Sequence, residues 1–189
     1  MKLGLIVNIL IRLSILYFLG EVLFLPDDPR FAGKAIPIRN FIIVITLSLL
    51  SPFFYFIRKK WSKWFDFAHH KYPYWWDNLY LSIFWLDMAG NSLNLYDSFF
   101  YFDLIPHFHG TGAIAAVLLG AFGWTFWSGL GFANIIHMLL ETQEYYTDVL
   151  LKTHNVRGTF DVINDLAVGL VGALIYGLIY FSIVRWYKK

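Results

Sequence analysis

The sequence predicts an all-α integral membrane protein, a polytopic bundle of about six transmembrane helices, and three observations predict it. Of the 189 residues, 58% are hydrophobic and only 15% are charged, against about 25% charged in an ordinary soluble domain. The apolar residues fall in runs close to the length of about 20 that a helix needs to cross a bilayer. Lys and Arg concentrate in one set of connections between those runs, as they do on the cytoplasmic side of membrane proteins. That much apolar surface exceeds what one small soluble core can bury. It also excludes a disordered chain, which requires low hydrophobicity and high net charge.

The first run, residues 3–25, carries Arg12 and Glu21. It is read as an uncleaved span and not a signal peptide, because it is long and no Ala-x-Ala site follows. The second, 38–57, has no charge after Arg39. The third, 79–95, holds Asp87, Asn91 and Asn94. The fourth, 104–122, has His107 and His109 near its start. The fifth, 127–146, carries His137, Glu141 and Glu144, and the sixth, 161–184, opens on Asp161 and Asp165. Residues 58–78 mix Trp61, Trp64, Trp75 and Trp76 with Lys63, His69, His70 and Lys71. Rings at headgroup depth beside cations make this an interfacial segment lying on the bilayer. With no repeat or linker, residues 1–189 read as one domain.

Lys2, Arg58, Lys59, Lys60, Lys63, Lys71, Arg185, Lys188 and Lys189 would lie on one side of the membrane. Arg30, Lys34, Arg39, Lys152 and Arg157 would lie on the other. The bias places the protein in the cell membrane with both termini cytoplasmic, and an even number of spans agrees with that. A net charge of +2 gives no nucleic-acid signal. With no cysteine, disulfides, thiol catalysis and Cys-bound zinc are excluded.

Gly112, Ala116 and Gly120 recur every four residues in the fourth span, and Gly169, Ala173 and Gly177 do so in the sixth. Small residues at that spacing allow close helix approach in lipid, so these two spans are expected to pack tightly.

An ionisable residue at a span centre costs about 2.5–3.5 kcal/mol on the insertion scale, so such residues mark function by default. Asp103 and His107 are four apart, as are Asp161 and Asp165. His137, Glu141, Glu144 and Asp148 are spaced to share one helix face. In the expected topology these groups, with Asn91, Asn94 and Asp97, converge at the extracytoplasmic end of four helices. Imidazole with carboxylates suits a divalent metal ion. The same groups suit acid–base chemistry or a proton relay. They equally suit a buried network that fixes helix register, and His109 and His137 are read first in that way. Asp87 is either a partner for His137 or a second functional carboxylate. No His-Glu-x-x-His, no Gly-x-Gly-Asp to accompany Tyr96-Asp97, and no Gly-x-Ser-Gly at Ser128 is present.

The segment Asp103-Leu-Ile-Pro-His107-Phe resembles the Asp-x-x-x-His-Phe motif of small VanZ-like and YjdF-like membrane proteins. Glu141-Thr-Gln-Glu144 stands where those families have an acidic pair ending the next helix. Asp161-Val-Ile-Asn-Asp165 then leads into a Gly-rich helix, with Arg157 where an Arg often precedes the Asp. The likeness covers residues 101–173, and Asp165 is closer to the YjdF-like form, since the VanZ-like pattern usually has Asn there. The resemblance implies a polytopic membrane protein with a link to the cell envelope.

The leading expectation is a membrane-embedded hydrolase acting on a lipid or lipid-linked envelope substrate. His107, Glu141, Glu144, Asp161 and Asp165 are its candidate catalytic residues. His107, Glu141, Asp161 and Asp165 are candidate ligands of a divalent metal ion. Arg157, Asp103 and Asn91 are candidates for substrate binding, with Arg157 holding an anionic group. The alternatives are a small proton- or ion-coupled transporter and a structural or partner-binding membrane protein.

Overall fold

A computed structural model describes residues 2–31, 34–60, 72–154, 156 and 158–187, with the side chains of 2, 54, 56–60 and 184–187 left aside. Most of the interfacial segment expected at 58–78, including His69, His70 and Lys71, lies outside the described residues, as does Arg157.

The described residues are helical, without strands. Helix α1 is Lys2–Phe24. Helix α2, Ile36–Ile42, continues through a π-helical turn, Ile43–Leu47, into α3, Ser48–Lys60. Helix α4 is Tyr74–Ser92 and a single turn, α5, is Leu95–Ser98. Then come α6, Leu104–Gly120, α7, Phe126–Leu151, and α8, Thr159–Tyr187. Helical structure thus covers each of the six apolar runs.

Among the described residues, three stretches are long and apolar enough to cross a membrane, Leu3–Phe24, Ile36–Phe53 and Thr159–Ile183. They mark the chain as an α-helical membrane protein. The apolar part of α6, Leu104–Gly120, is shorter. Helices α4 and α7 are 19 and 26 residues long, but their Asp, Asn, Glu and His side chains lower their mean hydropathy.

Helices α1 and α4 run side by side and are pinned at both ends. At one end Asn8 Nδ2 donates to Asp77 Oδ2 and to Asn78 Oδ1, each at 2.8 Å, and Arg12 Nη2 pairs with Asp77 Oδ2 at 2.9 Å. Ser51 and Tyr72 hydroxyls also donate to Asp77, so this 3%-exposed carboxylate is fully partnered. At the other end Ser92 Oγ donates to Glu21, and Arg30 Nη1 reaches Glu21 Oε1 at 2.8 Å. Arg30 also closes on Asp28 at 2.8 Å, holding that carboxyl down at about 2 from its ordinary 3.8 by direct hydrogen bonding. Between the pins lies a core of Ile15, Ile43, Val44, Leu81 and Met88.

Pro52 lies inside α3. Proline has no N–H, so the Ser48 carbonyl loses its helical donor. Arg12 Nη1 supplies one at 2.6 Å. The guanidinium thus serves the break in α3 and the Asp77 charge together.

The second half packs more closely, around Ala115, Leu130, Ala133 and Ala173. Among the described residues, helices α6 and α8 form the most extensive contact, as the small-residue spacing predicts. A methyl group on Gly172 would stand 2.1 Å from the Phe108 carbonyl oxygen, so only glycine permits this approach. Gly120 instead faces Trp76 on α4, and Gly177 faces Leu130 and Phe126 on α7.

Candidate functional site

The site forms where α6, α7 and α8 bring two imidazoles and three carboxylates together. Asp103 stands at the N-cap of α6, and His107 follows one turn later on the same face. On α7, His137 and Glu141 are also one turn apart. Asp165 projects from the first turns of α8. Room for His137 is made by Gly169, one turn beyond Asp165, where a methyl group would lie 2.2 Å from His137 Nδ1.

His107 Nδ1 lies 2.9 Å from His137 Nε2 and 3.1 Å from Glu141 Oε1. The third side, from His137 Nε2 to Glu141 Oε1, is 3.2 Å. The two rings are nearly parallel, with centroids 5.0 Å apart. His137 and Glu141 are each 4% exposed. Glu141 Oε1 accepts no hydrogen bond of acceptable geometry despite lying beside both rings. A buried carboxylate oxygen in that state calls for a cation or a proton.

The other edge of His107 faces the second pair of acids. Its Nε2 lies 3.5 Å from Asp103 Oδ1 and 3.9 Å from Asp165 Oδ2. Asp165 is 3% exposed and its Oδ1 has no hydrogen-bond partner. The two groupings, His107 with His137 and Glu141, and His107 with Asp103 and Asp165, share one imidazole.

Glu144 lies one turn beyond Glu141, within electrostatic reach of Glu141, His107, Arg39 and Asp87. Arg39 Nη2 stands 3.0 Å from Asp87 Oδ2, and Tyr96 donates to Asp87 Oδ1 at 2.9 Å. Asp87 is therefore the partner of Arg39 and Tyr96 and not of His137. Asp87, Asp103, Glu141, Glu144 and Asp165 thus surround two imidazoles and, among the described residues, one permanent cation, Arg39. Carboxylates in such excess, two of them buried and three half-buried, need compensating positive charge.

The remaining candidates lie elsewhere. Asn91 donates to the Asp87 carbonyl at 2.9 Å, on its own helix. Asp161 acts electrostatically on Asp165 but belongs to neither grouping. Asp148 accepts from Thr153 Oγ1 at 2.5 Å and from Val156 N at 2.8 Å, closing the loop after α7. Asp97 pairs with Lys34 at 2.9 Å. His109 sits between the Ser82 and Tyr176 hydroxyls, at 2.8 Å from each, which fits the register role expected for it.

His137, expected on one helix face with Glu141, lies beside it in the centre. Arg39, which the sequence offers only as a topology marker, joins them, and nothing local in the sequence ties it to Asp87, 48 positions away.

No family model matches the chain, and no curated protein or solved structure matches it.

Proposed function

We propose that this is a six-span cell-membrane protein with cytoplasmic termini, related to the VanZ-like and YjdF-like proteins. In this reading its polar centre, near the extracytoplasmic face, holds a divalent metal ion and hydrolyses a lipid or lipid-linked envelope substrate. The observation that carries the reading is the triangle of His107 Nδ1, His137 Nε2 and Glu141 Oε1, with sides of 2.9, 3.1 and 3.2 Å. A metal bound at about 2.0–2.1 Å sets neighbouring ligand atoms about 2.9–3.4 Å apart, from octahedral to tetrahedral geometry. The excess of carboxylates supports the same reading. So do the apolar faces that would meet lipid, where Leu13, Leu139 and Leu178 are 57%, 58% and 57% exposed. Leu139 lies on α7, opposite its polar face, which supports that helix as a span.

His107, His137 and Glu141 would hold the ion, which would supply a bound water of lowered pKa and polarise a carbonyl or phosphoryl oxygen. Glu144, one turn beyond Glu141, would take the proton of the attacking water and return it to the leaving oxygen as the ester bond breaks. Asp161, one turn nearer the loop, belongs to the substrate approach, and the role of holding an anionic head group falls to Arg157, which lies outside the described residues.

The test uses purified protein in mixed phospholipid vesicles, with mass spectrometry of released head groups and acyl chains. Release that needs Zn²⁺ or Mn²⁺ and is lost in Glu141→Gln is expected. If no metal is retained and nothing is released, the reading fails.

A second reading, ion-coupled transport, is favoured by the 2.9 Å contact between His107 and His137 and the carboxylates on either side of it. Single cysteines introduced into this cysteine-free chain separate the two. Labelling of the centre from both membrane faces supports transport, and labelling from one face supports the enzyme.

A further inference from the structure

We propose that the centre takes a second divalent cation, held by the carboxylates of Asp103 and Asp165 on the Nε2 side of His107. The inference rests on the reading of His107, His137 and Glu141 as the first cation site.

Asp165 is the observation that points to it. Its carboxylate is 3% exposed, its Oδ1 has no hydrogen-bond partner, and its Oδ2 stops 3.9 Å from His107 Nε2, beyond hydrogen-bond range. Asp103 Oδ1 is also too far from that nitrogen, at 3.5 Å, for a sound hydrogen bond. Three ligand atoms, one from each residue, lie within 4.8 Å of one another. Neither carboxylate closes on the imidazole. The first triangle is tighter, with a longest side of 3.2 Å.

The two sites differ in chemistry as well as size. The first offers two imidazoles and one carboxylate, a set that suits zinc or iron. The second offers two carboxylates beside one imidazole edge, a set that suits a hard, oxygen-preferring ion such as Mg²⁺ or Mn²⁺. Such ions keep several waters and are bound by one or two carboxylates together with substrate phosphate. That assigns a phosphate ester as the substrate class, with the phosphoryl oxygens completing the second ion's coordination.

Charge favours the same arrangement. Asp87, Asp103, Glu141, Glu144 and Asp165 outweigh Arg39 by more than one divalent ion supplies. A second divalent ion, with His107 bridging the two ions as an imidazolate after losing its Nε2 proton, brings the centre to within one charge of neutrality.

The experiment is a Mn²⁺ titration of the full-length, zinc-loaded protein in detergent, with free Mn²⁺ followed by electron paramagnetic resonance. Zinc occupies the nitrogen-rich site ahead of manganese. One Mn²⁺ bound per zinc-loaded chain is expected. Asp103→Asn and Asp165→Asn should each weaken Mn²⁺ binding at least tenfold, while zinc content stays at the wild-type level and shows that the fold is intact. Zinc-loaded protein that binds no Mn²⁺, or variants that bind it like wild type, would overturn the second site and leave the first standing. A chain that takes up no zinc would overturn both.

Discussion

His107 and His137 meet nitrogen to nitrogen, Nδ1 to Nε2, at 2.9 Å, although they belong to different helices and lie 30 positions apart. Either they share a proton, or both give lone pairs to a common ion. The unbonded Glu141 Oε1 beside them favours the ion.

The slot that admits His137 is a single missing methyl group. Gly169→Ala would place a carbon 2.2 Å from His137 Nδ1. The ring must turn away, which costs about 1–3 kcal/mol by overpacking. Metal affinity should fall at least tenfold while the helical circular-dichroism spectrum is kept, as a metal-buffered titration would show.

Gly172 does a different task. A methyl group there meets the Phe108 backbone, which cannot rotate aside. Gly172→Ala should separate α6 from α8 and lower the thermal midpoint by more than Gly169→Ala does. An equal or smaller shift would contradict the proposed helix contact.

Arg12 answers both a proline and a carboxylate. Arg12→Ala leaves Asp77 buried without its cation, a loss of about 3–5 kcal/mol. Pro52→Ala returns an N–H to the Ser48 carbonyl. In that background the loss of Arg12 should cost about 1 kcal/mol less, a difference that a double-mutant cycle in detergent reads directly.

The Asp28 carboxyl is held at about 2 by Arg30. Its folded-state value is depressed, so the clamp contributes its full stabilisation above the ordinary 3.8 and loses it as pH falls through about 2. Carbon-detected NMR titration should find the Asp28 midpoint near the lower value in the wild type. In Arg30→Gln it should return towards 3.8.

Helix positions were legible because apolar runs of bilayer length have few other outcomes. The start of α4 was not. Tyr74–Asn78 read as interfacial aromatics, yet Asp77 is drawn into the bundle by Asn8 and Arg12. Helical spacing correctly placed His137, Glu141 and Asp148 on one face, but face is not depth. Eleven residues raise Asp148 about 16 Å along the axis from His137, where it closes a loop. Contacts between distant segments, such as Arg39 with Asp87 or His107 with His137, depend on which helices become neighbours, and no local pattern carries that.

The central claim is that His107, His137 and Glu141 together hold a divalent metal ion. Its most direct test is the metal content of the purified protein by inductively coupled plasma mass spectrometry, wild type beside His137→Ala. The account predicts near-stoichiometric zinc, manganese or iron in the wild type and its loss in the variant. Wild-type protein that carries no metal after purification in metal-supplemented buffer, or a variant that retains the wild-type amount, would contradict it.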